Sequence, residues 1–273
     1  MRQAIDSGIL SNATRLRNML ADGKLILPLL DLKDQPDVKN INSFDLEERL
    51  NISFSRQDQN NAVVICRSNK RANMFNAEIR KRILFQEDEL NTGDMLMVVK
   101  NNYYWLDPNS PPGFIANGDI VEILNIQRTE QEYGLRFADV TIRFTDYPED
   151  IIIDTKIILD TLMVDGPSLT QEQQNQLFQS VMKEFQDEPN RAARYRSVRT
   201  NPYFNALQVK FAYAMTCHKT QGGQWPNVFI DEIRLKDNKP DTESIRWLYT
   251  AVTRASSSLG ASAAANAFTG AVT

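Results

Sequence analysis

The sequence predicts an α/β fold in which a parallel-sheet lobe is interrupted by a small β module. Ala62–Cys66 (AVVIC) is a continuous apolar run, the kind buried on both faces of a parallel sheet, and a capped helix follows it. Phe211–Met215 and Val228–Ile230 are two more short apolar runs that end in polar residues. From Gly93 the texture changes to short strand-like segments divided by turn residues.

In chain order, residues 2–20 read as a helix and Asp31–Arg56 as a polar connection of mixed charge. After Ala62–Cys66, Ser68 or Asn69 caps a helix that puts Ala72, Phe75, Ile79 and Ile83 on one face. Strand, cap and helix make half of a βαβ unit. Met95–Lys100, Tyr103–Leu106, Asp119–Ile126, Leu135–Phe144 and Ile151–Leu159 are five candidate strands. Five such strands within about 70 residues suggest a small barrel. Asn117-Gly118 between them reads as a turn needing positive φ. Ser168–Phe185, rich in Gln and Glu, reads as a helix returning to the lobe.

Phe211–Met215 is expected to be one strand, running into a polar turn with the only histidine, His218, then Lys219, Gln221 and Gly222-Gly223. Such a loop is expected to present N–H groups and cations at the carboxyl edge of the sheet. A helix opening near Asp241 sends Ile245, Leu248, Val252 and Ala255 to the core and leaves Thr250 and Arg254 on another face. Ser256–Thr273, dominated by Ala, Ser and Gly, has weak strand propensity and stays unassigned. The resulting divisions are 1–92 and 166–255 for the lobe, 93–165 for the inserted module and 256–273 for the tail.

With 273 residues, 42% of them hydrophobic, the chain can bury a sizeable core. The segment after Met1 carries no apolar signal region, and Cys66 and Cys217 read as reduced core thiols, so a cytoplasmic location is expected. The net charge of −4 argues against a uniformly basic nucleic-acid surface. Charge is nevertheless concentrated at Arg191, Arg194, Arg196, Arg199 and Lys210, with Tyr195, Tyr203 and Phe204 among them. Cations interleaved with aromatics suit a single strand, and a solvated helix is the competing reading. Cys217 and His218 are neighbours and point to opposite faces, which argues against a cysteine hydrolase. One His and two distant Cys do not make a zinc site, so no metal site is expected.

FAYAMTCHKTQGGQWPNVFID (Phe211–Asp231) and LYTAVTRA (Leu248–Ala255) resemble motifs V and VI of superfamily 1 helicases, in particular the RecD/Dda-like branch. Arg2-Gln3 with Asp6-Ser7-Gly8-Ile9, and Val63–Arg80 (VVICRSNKRANMFNAEIR), resemble two further segments of that family. The resemblance implies a RecA-like lobe of the P-loop NTPase superfamily with an inserted SH3-like β-barrel, here 93–165. It implies that Arg254 and Arg2 act catalytically on the ATP γ-phosphate and that Gln3, Gln221, Gly222 and Gln224 bind ATP, although many relatives carry glutamate where Gln224 stands. It also implies that Thr216, His218, Lys219, Arg67 and Asn69 contact single-stranded DNA.

A G-x-x-x-x-G-K-[ST] phosphate loop is missing: Gly23-Lys24 is followed by Leu25, and no glycine precedes Gly23 by five residues. The expectation is the C-terminal half of an ATP-dependent DNA helicase, begun just upstream of the arginine motif and inactive alone. Most of the ATP and Mg²⁺ contacts would come from a preceding N-terminal lobe, and nuclease or recombination subunits are implied partners. The alternative is a non-catalytic nucleic-acid-binding or interaction module derived from such a lobe.

Overall fold

The structure, a computed structural model, describes residues 7–24, 26–27, 29–32, 35–54, 61–147, 150–231 and 240–262. The chain divides into two compact units, Met1–Glu87 with Tyr213–Thr273, and Asp88–Ala212.

The first unit opens with α1 (Gly8–Asp22), whose Ile9, Ala13, Leu16 and Met19 recur at helical spacing and are buried. Ser7 caps its start, and Gly23 ends it in the left-handed conformation at φ 65°. β1 (Val38–Ile41), α2 (Ser43–Ser53), β2 (Ala62–Cys66) and α3 (Asn69–Glu78) follow. A π turn, Ile79–Ile83, extends α3 and keeps Ile79 and Ile83 in the core. After the second unit come β8 (Ala214–Thr216), a 3-10 turn (Cys217–Thr220), β9 (Trp225–Ile230), α6 (Thr242–Val252) and β10 (Ala255–Ser262). The five strands form a wholly parallel sheet in the order β1-β10-β9-β2-β8. With its flanking helices this sheet resembles a RecA-like lobe.

β10 corrects the reading of 256–273 as unassigned: its described part, to Ser262, is an interior strand hydrogen-bonded to β1 and β9. Ala255, placed on the α6 core face by sequence, starts this strand instead. Small residues are what the position demands. A Cβ on Gly260 would lie 2.2 Å from Ile41 Cδ1 and 3.1 Å from Phe229 Cδ1, so close packing by the neighbours outweighs propensity.

The second unit is a closed barrel of β3 (Met95–Val98), β4 (Ile120–Glu132), β5 (Leu135–Phe144), β6 (Ile152–Ile158) and β7 (Leu207–Phe211). Tyr133 (φ 53°) and Gly134 (φ 78°) make the tight β4–β5 turn, where two successive positive φ angles match strand twist. Tyr103–Leu106 is no strand, contrary to expectation; the fifth barrel strand is β7, whose last residue, Phe211, was read as the first of a single strand Phe211–Met215. That segment breaks in two because Ala212 N–H donates to Met95 O at 2.9 Å, whereas Tyr213 O accepts from Val64 N–H at 2.9 Å.

Helices α4 (Gln171–Glu184) and α5 (Arg191–Arg199) also belong here rather than to the lobe. Leu177, Val181 and Val198 pack with Phe137 and Ile158 of the barrel in one core cluster, and this apolar contact decides their partner. Lys156, its side chain only 4% exposed, donates to Glu130 at 2.6 Å and Asp139 at 2.5 Å. It lies 4.4 Å over the Tyr203 ring, whose hydroxyl donates to Glu130 at 2.9 Å. A buried cation is tolerated only with partners of this kind.

Asp37, just before β1, joins three pieces of the lobe. Its carboxylate accepts from Ser7 Oγ (2.6 Å), Gly8 N (2.9 Å) and Ile9 N (3.3 Å), and its carbonyl accepts from Leu259 N at 2.7 Å. A Cβ on Gly8 would sit 2.7 Å from Asp37 Oδ1, so the glycine makes room for the acid. Burial alone would raise the Asp37 pKa, but the hydrogen bonds from Ser7, Ile9 and Gly8 outweigh it and hold the group below its usual value. A depressed folded pKa adds stability that is present above the unfolded value of about 3.9 and lost as pH falls through the folded value. Asp37→Ala should therefore cost about 1–2 kcal/mol at neutral pH, the range for losing a helix cap. Urea denaturation should show that difference shrinking below pH 4.

Candidate functional site

The carboxyl end of the sheet gathers the residues expected to meet a nucleic-acid strand. β2 and β8 pair with Cys66 opposite Thr216, which brings Arg67, Ser68 and Asn69 beside Thr216 and His218. Ser68 caps α3 by accepting from Arg71 N at 3.2 Å, and Asn69 opens the helix. Arg67 is exposed, its guanidinium 4.8 Å over the Trp247 ring. His218 is exposed. Lys219 is half-buried, and burial lowers its pKa.

This end is held by interactions the motif reading missed. Asn76 uses its side-chain amide as a strand would, donating to Ala214 O at 2.9 Å and accepting from Ala214 N at 2.7 Å. It satisfies the free side of β8, an edge strand. Arg71 forks onto Asp231 with bonds of 2.9 and 2.7 Å, anchoring α3 to the end of β9. Trp247 O accepts from Cys217 Sγ at 3.4 Å. Asn76 sits on the buried face of an otherwise apolar helix pattern, and that is the one sequence signal that could have marked it.

The residues expected to meet a nucleotide lie at the other end. Gln221, Gly222 and Gln224 are exposed and lead into β9, which starts at Trp225. Arg254 immediately precedes β10, and Trp225 N donates to Arg254 O at 2.9 Å. By register Thr216 stands level with the end of β9, so about six residues at 3.3 Å separate it from Trp225, roughly 20 Å. The expected single loop at the carboxyl edge is thus a crossover, and the two sets of residues expected to be functional lie at opposite ends of the sheet. Cys217–Gln224 must span the full strand length, which leaves no slack for both sets at one edge.

Half-buried Arg254 clasps this crossover. Its Nη1 donates to Thr220 O at 3.3 Å and Gly223 O at 3.1 Å, Nε to Thr250 O at 3.2 Å, and Nη2 to Thr253 Oγ1 at 3.2 Å. All four acceptors are neutral, so the positive charge is oriented but not cancelled. Gly222 turns at φ 92°, and a Cβ on Gly223 would lie 2.4 Å from the Trp225 ring. Gln221, Gly222, Gln224 and Arg254 together offer a guanidinium, amides and backbone N–H groups, a donor set that fits phosphate oxygens. None of the four is a carboxylate, so they do not fit Mg²⁺. Arg2 and Gln3 lie outside the described residues. Among the described residues no group of His, Cys, Asp or Glu is arranged to hold a metal ion, and no helix is long and apolar enough to cross a membrane.

Residues 211–261 match the UvrD-like helicase C-terminal domain, less than half of the chain. No curated protein matches the chain. Among solved structures, a Pif1 helicase from Bacteroides in complex with ADP-AlF3 and single-stranded DNA is similar at 12% identity, over 96% of this chain and 50% of that one, with a TM-score of 0.47. Pif1 helicase from Candida albicans is similar at 12% identity, over 92% and 52%, with a TM-score of 0.46. Two coordinating Pif1 helicases at forked double-stranded DNA give 13%, 97% and 48%, with a TM-score of 0.45. The chain spans about half the length of these structures. Likeness of this degree carries no information on the ligands of this chain.

Both thiols are chemically quiet. Burial pushes Cys217 up to about 11, and burial with the nearby Asp231 carboxylate raises Cys66 well above its usual value. The nucleophile is the thiolate, so reaction with a disulfide reagent at pH 8 should run on the order of 100-fold slower in the native protein than in urea. Equal rates would reopen a catalytic role for Cys217.

Proposed function

We propose that this chain is the second RecA-like lobe, with its inserted barrel, of an ATP-dependent DNA helicase or translocase of the RecD/Dda-like kind. The observation that carries the reading is the Arg254 clasp: a half-buried guanidinium held by neutral oxygens at the start of β10, beside an exposed glycine-containing loop. The match over 211–261 supports it, since that stretch contains both Arg254 and the crossover. Partner nuclease or recombination subunits and a cytoplasmic location follow from the sequence resemblance alone.

In this reading Arg254, Gln221, Gly222 and Gln224 hold the phosphate end of ATP from this lobe, with Arg2 as a second cation. ATP when bound supplies the phosphoryl group that is transferred to water, and a preceding lobe supplies the phosphate loop and the Mg²⁺ ligands. Arg254 stabilises the charge that develops on the phosphoryl oxygens. Turning toward an anion takes its Nη1 from the Thr220 and Gly223 carbonyls, and the crossover is then free to shift. Thr216, His218, Lys219, Arg67 and Asn69 at the far end grip the phosphates of a single DNA strand. Occupancy at one end of the sheet so becomes movement at the other.

The clasp also favours a second reading, in which Arg254 is structural and the chain is a non-catalytic nucleic-acid-binding module. Phosphate release separates the two. The chain alone should hydrolyse no ATP above background with single-stranded DNA present, and robust turnover would overturn the half-motor reading. Joined to a phosphate-loop lobe it should turn over, and Arg254→Ala should cut that turnover by roughly 10³-fold, the scale of an arginine finger. Normal turnover in the variant would assign Arg254 to the module reading.

A further inference from the structure

The oxygens that hold Arg254 are not alike. Those of Thr220, Gly223 and Thr250 are backbone carbonyls, which a residue of any kind would supply at those positions. The fourth belongs to a side chain: Thr253 Oγ1 accepts from Arg254 Nη2 at 3.2 Å. Of the four, it is the one acceptor that depends on residue identity.

Thr253 is itself fixed. It caps the C-terminal end of α6, is only 4% exposed, and donates its N–H to Tyr249 O at 3.1 Å. Its Oγ1 donates to Thr250 O at 2.9 Å. A hydroxyl has a single proton, so this bond leaves only lone pairs for the guanidinium, and toward Arg254 the oxygen is an acceptor. Thr250 O also accepts from Arg254 Nε at 3.2 Å, whereas the Thr250 hydroxyl donates elsewhere, to Arg246 O at 3.0 Å. The Nε–Nη2 edge therefore rests on two oxygens at the end of α6, where the helix carbonyls favour a cation. Nη1 alone reaches the crossover, at 3.3 Å to Thr220 O and 3.1 Å to Gly223 O. Nη1 can leave those carbonyls for an anion while the other edge stays where it is. A long side chain held in advance loses little further freedom when its ligand arrives.

We propose that Thr253 is the positioning residue for Arg254: its hydroxyl keeps the Nε–Nη2 edge on α6 while Nη1 turns to the phosphate oxygens of the nucleotide. The inference rests on the motor reading and deepens it, because it names a residue that aims the cation without touching the nucleotide. Valine in this place keeps the shape and removes the acceptor, and serine keeps the acceptor and removes a methyl group.

In the chain itself, nitrogen-15 NMR of the arginine side chains reads the hold directly. Rotation of the Arg254 Nη2 group should be about 5-fold faster in Thr253→Val than in the native chain, the scale of one lost hydrogen bond, and slow again in Thr253→Ser. An unchanged rate in Thr253→Val, or an equally fast one in Thr253→Ser, would overturn the proposal. In the chain joined to a phosphate-loop lobe, Thr253→Val should lower kcat about 10-fold and leave KM for ATP unchanged, as expected for a misaimed group. Thr253→Ser should keep the native kcat. In an Arg254→Ala background Thr253→Val should bring no further loss, since it acts through Arg254. A further loss there would show that Thr253 acts on its own and would sink the assignment. Reduced turnover in Arg254→Ala with normal kcat in Thr253→Val removes this proposal alone, and normal turnover in Arg254→Ala removes the motor reading and this proposal with it.

Discussion

Eight residues, Cys217–Gln224, carry the chain from the end of β8 back to the start of β9 across β2. Most parallel crossovers use a helix and a dozen residues or more. Here the connection has room only for one 3-10 turn, closed by Thr220 Oγ1 on Cys217 O at 2.7 Å, and a glycine turn. Being short, it is nearly taut. A displacement at Gly222 has few torsions to absorb it before it reaches His218.

Two buried polar contacts keep the sheet rigid around that connection. Asn76 completes the free side of β8, and Arg71 with Asp231 ties α3 to β9. Both satisfy groups that would otherwise be desolvated without partners, at a cost of about 1–3 kcal/mol each. The molecule also sorts its cations by use. Lys156 and the strand arginines are cancelled by carboxylates, whereas Arg254 and the α5 arginines are not. With a net charge of −4, attraction for phosphate depends on where positive charge is left over rather than on the total.

Legibility in the sequence followed the range of the interaction. β2 and β5 were readable to the residue, because apolar runs and turn signals act locally. The start of α3 was readable to Ser68 or Asn69, and that of α6 to the neighbourhood of Asp241, for the same reason. Partner choice was not. The Gln-rich α4 has an apolar stripe that would suit either unit, and only packing against Phe137 and Ile158 selects the barrel. β10 was hidden because its small residues answer to Ile41 and Phe229, far away in the chain. At the site, Arg254, Gly222 and His218 stood out by motif. Their separation along the sheet depends on strand register, which no single segment encodes.

The interior place of β10 bears on the order in which the chain can fold as it is made. Asp88–Ala212 is one continuous stretch, so the barrel can close once β7 has left the ribosome. The lobe must wait. Until Ala255–Ser262 emerge, β1 has no neighbour and β9 presents an open edge, although both were synthesised earlier. Unpaired parallel edges are aggregation-prone, and the already folded barrel separates the two halves of the lobe while they remain so. A ribosome that pauses before β10 would therefore expose a partner-seeking sheet edge after the barrel is finished.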